Sequence, residues 1–182
     1  MKIPYIYGDW KVLFKPQKNG NYVNDHTIVK GSDGKWHLYG ITSMGGHSYE
    51  ERYFVHGKGE NFSNSFEEVG RLIDKGTLAW APCVIEKYEN YYMFYGPSPT
   101  SLAVSFDMNE WFGHKVALNN EPLMAAHRDH FVLKTDDNRY LMYVSGIHNK
   151  KGAISCFSSE DLLEWNFEGF ALISGEDAPL NP

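Results

Sequence analysis

Residues 84 to 98 of the chain read VIEKYENYYMFYGPS, and this stretch predicts a β-hairpin. An apolar strand leads into a short polar turn at Tyr88-Glu89-Asn90, and an aromatic strand follows the turn. Residues such as Asn tolerate the positive φ values that a tight hairpin needs. The near-continuous aromatic run is typical of an inner strand that is covered on both faces.

The same unit occurs twice more along the chain. Residues 28 to 42 read IVKGSDGKWHLYGIT, and residues 132 to 146 read VLKTDDNRYLMYVSG. The matching aromatic positions, Trp36, Tyr91 and Tyr140, lie 55 and then 49 residues apart, close to the period of a four-stranded propeller blade. We therefore predict an all-β fold, a β-propeller in a single domain. Its blade-like repeats are expected at about 21–76, 77–122 and 123–182.

The second and third repeats continue with a further apolar strand that runs through Ser and Asp to a Trp, at residues 102–111 and 154–165. The two tryptophans stand at equivalent positions, which indicates packing between blades. In the first repeat, the segment from Ser48 to Gly76 is the least regular part of the chain. Residues 66–73 are compatible with a short helical turn, although three charges and Gly70 disfavour it.

Composition excludes several classes of protein. The 182-residue chain is 42% hydrophobic and 15% aromatic, which is enough for a large core. Its 17 Lys and Arg against 23 Asp and Glu give a net charge of −6 without a basic block, so nucleic acid is not an expected partner. No apolar run reaches the roughly 18 residues of a membrane helix, and residues 1–11 lack a signal-peptide pattern. We expect a cytoplasmic protein with no membrane partner.

A polar cluster precedes each hairpin at the same place in the repeat. The clusters are Asn24-Asp25-His26, Trp80-Ala81-Pro82 and His127-Arg128-Asp129-His130. First strands of propeller blades line the axis, so side chains about a hundred positions apart can converge on one funnel. Asp25 and Asp129 occupy equivalent positions, and two carboxylates at a concave centre suit the cleavage of acetals. The alternative is that each Asp caps a turn at the entry to its strand.

These motifs resemble the five-bladed propeller glycoside hydrolases of families 43, 32, 62 and 68. The resemblance covers about residues 20–175 and rests on runs 24–29, 80–85 and 128–131, in this order. It implies a protein of carbohydrate metabolism that hydrolyses or binds furanosides, pentosides or fructosides, such as arabinan, xylan or fructan. By this resemblance Asp25 is the general base or the nucleophile. Asp129 orients the acid, raises the pKa of that acid or holds substrate hydroxyls, and Trp80 belongs to the sugar-binding wall.

The sequence departs from the family pattern in two respects. His26 and His130 stand where the family commonly has Pro after the two aspartates. The general-acid Glu of the next blade has no counterpart, and Glu176 is the last glutamate available. A two-carboxylate mechanism needs an acid within reach of the leaving oxygen. Two alternatives therefore stay open: a non-catalytic sugar-binding module, and a repeat protein that binds another protein at its open edge.

Histidines near the predicted axis extend the set of candidates. Besides Trp80, the expected sugar contacts are Asn24, His26, His47, Arg128, His130 and His148. Related arabinanases often carry a calcium ion near the axis with a histidine close by, so the resemblance allows a structural calcium here. We favour hydrogen bonds from these imidazoles to sugars, water or the carboxylates, since calcium prefers oxygen ligands. We predict no catalytic metal and no other cofactor.

Three blades leave a propeller open, because a closed ring needs at least about four. Unpaired edge strands and uncovered blade faces are prone to associate with other chains. The sequence therefore predicts a homo-oligomer, or a second chain that covers the open edge.

Overall fold

The computed structural model describes residues 8–17, 22–43, 45–73, 76–119 and 124–175. In these ranges the chain forms thirteen strands, one 3₁₀ turn and no α-helix, which confirms the all-β prediction. The strands are β1 (Asn24–Lys30), β2 (Trp36–Thr42), β3 (Tyr53–Gly59), β4 (Glu67–Leu72), β5 (Trp80–Lys87), β6 (Asn90–Gly96), β7 (Ser101–Ser105), β8 (Phe112–His114), β9 (Ala117–Asn119), β10 (Ala125–Lys134), β11 (Tyr140–His148), β12 (Lys151–Ser159) and β13 (Glu164–Ile173). The 3₁₀ turn is Ser48–Glu50. None of the described segments is a helix with the length and apolar character needed to cross a membrane.

The strands form three sheets in chain order. The first sheet has the order β1-β2-β3-β4, and the second has the order β5-β6-β7-β8. The third has the order β10-β11-β12-β13, with β9 added parallel to β13 at its edge. Strand β5 contacts both β1 and β10, so the first strands of the three sheets lie side by side. Four-stranded sheets arranged around their first strands are the blades of a β-propeller.

The three predicted turns each close a hairpin between the first two strands of a sheet. Only Tyr88 and Glu89 separate β5 from β6, and both have positive φ, 52° and 62°, as a type I′ turn requires. In the other two turns, Gly34 and Asn138 take positive φ values of 79° and 65°. The turn residues read from the sequence therefore provide the backbone geometry that the hairpins need.

The first sheet corrects one sequence-based expectation. Residues 66–73 do not form a helical turn, because β4 occupies Glu67–Leu72 and pairs antiparallel with β3. Pairing with β3 satisfies backbone groups that a single isolated turn of helix would leave to water. The local pattern of charges carries no information about this long-range pairing, which overrides local preference.

The aromatic strand β6 lies between the two hydrophobic cores. Tyr91, Met93 and Tyr95 belong to the core shared with the first sheet, whereas Phe94 belongs to the core shared with the third sheet. Alternate residues of a strand point to opposite faces, so a strand covered on both sides needs apolar residues at successive positions. This explains the continuous aromatic run in the sequence.

Two turns of the same kind join β7 to β8 in the second sheet and β12 to β13 in the third sheet. The hydroxyl of Ser105 accepts the N–H of Met108 at 2.8 Å, and the hydroxyl of Ser159 accepts the N–H of Leu162 at 2.9 Å. In each turn the Asp two residues after the Ser accepts two further N–H bonds. The repeated Ser-x-Asp pattern therefore satisfies backbone donors that no strand partner reaches.

The tryptophans after these turns pack between the sheets, as the sequence indicated. Trp165 is fully buried and meets Phe94 edge to face, with ring centroids 5.5 Å apart. Trp111 meets Tyr39 in the same way at 5.4 Å. Edge-to-face pairs contribute about 0.5–1.5 kcal/mol beyond the burial of area.

We expect Ser159→Ala to lower the free energy of unfolding by about 1–3 kcal/mol, because the N–H of buried Leu162 loses its acceptor. Ser105→Ala should give a similar loss, since its turn is equivalent. Glu160→Ala, an exposed change in the same turn, is the control and should stay within about 0.5 kcal/mol. Urea unfolding measures all three, and equal stability of the Ser159 and Glu160 variants would contradict this account.

Candidate functional site

Each first strand carries an extra residue at the same place relative to its partner strand, and β10 carries a second one between Ala125 and Arg128. The extra residue falls between Asn24 and His26 in β1, between Trp80 and Cys83 in β5, and between Arg128 and Phe131 in β10. When the paired residues of the first two strands are aligned between the three sheets, Asp25, Ala81 and Asp129 occupy equivalent positions. A β-bulge bends its strand and re-aims a side chain, and bulges occur often beside active sites.

The backbone is left-handed at two of these positions, with φ of 46° at Ala81 and 57° at Asp129. For residues other than Gly, this conformation costs on the order of 1–3 kcal/mol, and outside turns such strain clusters at functional sites. Gly96, opposite Trp80 in the ladder, allows the third sheet to approach. A Cβ there would lie 3.2 Å from the Cα of Arg128, so a larger residue would push β10 away.

Two neighbouring cavities surround the aspartates. The larger has a volume of about 560 Å³ and is lined by Val23, Asn24, Asp25, His26, Ala81, Pro82, Asp129 and His130. The smaller, of about 320 Å³, is lined by Asn24, Asp25, Ile41, Glu51, Trp80, Arg128 and Asp129. Asp25 and Asp129, 104 positions apart in sequence, thus line both cavities and stand where the two meet.

The carboxylate of Asp129 is oriented by two neighbours. The hydroxyl of Ser145 donates to Oδ2 at 2.7 Å, and Nε of Arg128 lies 3.4 Å from the same oxygen. Ser145 pairs with Arg128 across the ladder, which places its hydroxyl beside the bulge. The side chain of Asp129 is still about half exposed, so a ligand in either cavity can reach it.

The carboxylate of Asp25 has a different environment. Its side chain is exposed at the start of β1, and within the described part of the chain it makes no hydrogen bond or ion pair. A general base or nucleophile needs an accessible lone pair. The two equivalent aspartates therefore differ: Asp129 is held by neighbours, whereas Asp25 has no such contact among the described residues.

The structure adds a third carboxylate, Glu51, that the sequence analysis did not identify. Glu51 is only 6% exposed and lines the smaller cavity. The hydroxyl of Tyr22 donates to its Oε1 at 2.6 Å. Burial and the adjacent Glu51 raise the pKa of Tyr22 to about 12, so the phenol keeps its proton at neutral pH. The backbone carbonyl of Glu51 accepts the N–H of Ala79 at 2.8 Å, which ties this loop to the second sheet.

The candidate histidines fall into two groups. His26 and His130 line the larger cavity, His26 exposed and His130 buried. His47 is exposed and stacks on a neighbouring tyrosine, and His148 packs against a phenylalanine of β13. Neither of these two lines the cavities around the aspartates. The other candidates, Asn24, Trp80 and Arg128, line the smaller cavity.

Two further expectations from the sequence concern a calcium ion and the acid candidate Glu176. Among the residues that the structure describes, no group of three His, Cys, Asp or Glu side chains is arranged to hold a metal ion. The calcium that the family resemblance allowed therefore has no such ligand set in these ranges. Glu176 lies outside the described residues.

Fold and site together define a propeller of the glycoside hydrolase type. The family model "Glycosyl hydrolases family 32 N-terminal domain" matches residues 14–178, and the chain belongs to this family. This confirms the resemblance found in the sequence, in which family 32 was one of four. No curated protein sequence matches the chain significantly.

Solved structures of glycoside hydrolases share the fold. A GH32 β-fructofuranosidase of Bombyx mori superposes with a TM-score of 0.68 at 19% identity, over 85% of this chain and 36% of that one. A family 117 enzyme of the marine bacterium Zobellia galactanivorans gives 0.71 at 13% identity, over 92% and 63%. A GH43 enzyme of Xanthomonas citri, complexed with xylotriose, gives 0.61 at 12% identity, over 83% and 55%. The likeness confirms the β-propeller fold, and the chain spans 36% to 63% of the length of these structures.

Proposed function

We propose that this chain carries the carboxylate pair of a glycoside hydrolase that acts on furanosides, pentosides or fructosides. The observation that supports the proposal is the convergence of Asp25 and Asp129 on the same two cavities, at equivalent bulges of two blades. The Bombyx mori neighbour, a GH32 β-fructofuranosidase, favours fructofuranosides among these substrates.

Asp25 is assigned the role of base or nucleophile. In an inverting reaction its carboxylate takes a proton from water, and the water oxygen bonds to the anomeric carbon as the leaving oxygen departs. In a retaining reaction its own oxygen forms that bond, and water later breaks it. Its exposed, unpaired state suits either role.

Asp129 is assigned a binding and electrostatic role. Its Oδ2 is occupied by Ser145 and Arg128, which holds the carboxylate in one orientation. A fixed negative charge beside the anomeric centre stabilises the positive charge that develops in an oxocarbenium-like transition state. The same carboxylate can accept hydrogen bonds from sugar hydroxyls.

The smaller cavity provides the surfaces that sugar recognition requires. Trp80 offers an aromatic ring to the apolar face of a sugar, and Glu51 and Arg128 offer an acceptor and a donor for hydroxyls. With volumes of about 320 and 560 Å³, the two cavities lie within or near the range of ligand sites. We propose that the glycosidic bond lies at their junction, between Asp25 and Asp129.

The leaving oxygen must also receive a proton, and we assign this general acid to none of the described residues. Glu51 already accepts the hydroxyl of Tyr22, an arrangement that suits an acceptor for hydroxyls. A non-catalytic sugar-binding module is the second candidate function, favoured because neither cavity contains a carboxylate beyond Asp25, Glu51 and Asp129 in the described ranges.

A panel of glycosides tests the proposal. Methyl β-D-fructofuranoside, methyl α-L-arabinofuranoside and methyl β-D-xylopyranoside are titrated against the chain, and their 4-nitrophenyl counterparts are assayed for release of nitrophenol. Binding with turnover supports the hydrolase, and binding without turnover supports the sugar-binding module. Absence of binding by the whole panel would overturn both.

We also propose that a second copy of the chain, or another chain, covers the third sheet. Phe131 of β10 and Leu172 of β13 are 56% and 58% exposed on the first and fourth strands of the third sheet. Exposed apolar residues on a sheet favour association. We expect sedimentation to give the mass of a dimer, and a monomer at micromolar concentration would contradict this proposal.

A further inference from the structure

We propose that His130 determines specificity in the larger cavity, where its Nδ1 forms a hydrogen bond with one hydroxyl of the bound sugar. This inference rests on the proposed function, because it names a contact of the same site. His130 is 4% exposed and lines the cavity beside Asp129.

The imidazole is held by a different blade. Nε2 of His130 lies 2.8 Å from Oγ1 of Thr100, the residue before β7 in the second sheet. The other ring nitrogen, Nδ1, is buried and has no hydrogen-bond partner among the described residues. Buried polar atoms are nearly always paired, and an unpaired one beside a cavity indicates a partner that enters the cavity.

The charge state of His130 indicates the chemistry of that partner. Burial and the neighbouring His127 lower the pKa of His130 to about 3, so the ring is neutral at physiological pH. If the Thr100 hydroxyl donates to Nε2, the ring proton is on Nδ1, which is then a donor. If the hydroxyl accepts from Nε2, then Nδ1 is an acceptor. A sugar hydroxyl is both donor and acceptor and therefore fits either tautomer, whereas an ammonium or a carboxylate fits only one.

The position in the repeat supports a selective role. His130 is equivalent to Pro82 in the second sheet. A proline ring has no polar atom to offer to a ligand. The third sheet therefore has a hydrogen-bonding group at a point where the second sheet presents an apolar ring.

Binding of deoxy sugars tests the inference. The probes are methyl β-D-fructofuranoside and its single-deoxy analogues, measured by calorimetric titration against the native chain, His130→Phe and Thr100→Val. One analogue should bind the native chain about tenfold more weakly than the parent sugar, because a buried polar group is then left unpaired. In His130→Phe the parent should also bind about tenfold more weakly and the difference between the two sugars should vanish. His114→Phe, which changes an exposed histidine of β8 outside both cavities, is the matched control.

An NMR measurement on the native chain tests the inference even if His130→Phe does not fold. The ¹⁵N chemical shift of Nδ1 should change when the parent sugar binds, and Thr100→Val, measured at a temperature where this variant is folded, should weaken binding. An unchanged Nδ1 shift on sugar binding, or full discrimination retained in His130→Phe, would overturn the inference while the proposed function stands. If none of the furanosides and pentosides binds, the proposed function and this inference both fall.

Discussion

Asp25→Asn is expected to reduce glycoside hydrolysis about 10²- to 10⁴-fold, with the affinity for methyl β-D-fructofuranoside changed only a few-fold. Asn keeps the shape of the side chain but lacks the negative charge and the basic lone pair that attack on carbon or water requires. Because the carboxylate of Asp25 is exposed and forms no contact in the described residues, its replacement should leave the fold unchanged. The prediction rests on the proposed function.

Nitrophenol release measures the turnover, and a titration with the methyl glycoside measures binding in the same preparation. Asp136→Asn is the matched control, since Asp136 is exposed in a hairpin turn outside both cavities. Native turnover that persists in Asp25→Asn would contradict the assignment of Asp25. An equal loss in both variants would point to a general effect of the lost charge.

Trp165→Ala is expected to lower the free energy of unfolding by about 3–5 kcal/mol. Trp165 is completely buried between the second and third sheets, where it meets Phe94 edge to face and donates its indole N–H to the carbonyl of Leu162 at 3.2 Å. Removing the indole leaves a cavity that two rigid sheets cannot close. With total stabilities of about 5–15 kcal/mol in ordinary domains, this loss is large enough to populate the unfolded state.

Urea unfolding of Trp165→Ala and Trp165→Phe measures the effect, and the Phe variant should lose less because it retains part of the ring volume. Trp10→Ala is the control, since this side chain is 87% exposed and its loss should cost no more than about 0.5 kcal/mol. Equal midpoints for the Trp165 and Trp10 variants would contradict the packing role of Trp165.

The repeat could be predicted from sequence because the signals that define it are local. A two-residue turn such as Tyr88-Glu89 and the alternation of side chains along β6 depend on neighbours in the chain. The last strand of the first sheet, β4, was harder to predict from the sequence. There β4 owes its strand conformation to pairing with β3, and the local sequence of Glu67–Leu72 does not encode a partner.

The candidate site was likewise predictable from the sequence only in part. Comparing the three repeats placed Asp25 and Asp129 at equivalent positions, and the ladders show equivalent bulges at both. Glu51 follows a 3₁₀ turn in a loop without repeat counterparts. It lines the smaller cavity and accepts a hydrogen bond from Tyr22, 29 positions earlier. No spacing rule connects two such residues, because the contact depends on how the loop folds back onto the sheet.

The sequence by itself determined the all-β class, the order of the three repeats and the equivalence of the two aspartates. Periodicity and turn chemistry act over a few residues, and repetition makes them visible. Only the tertiary structure decided which side chains share a cavity, that Asp129 is held while Asp25 is free, and that Thr100 orients His130 from another blade. These relations depend on the packing of sheets against one another, and sheet packing is the sum of many weak long-range contacts that no short segment contains.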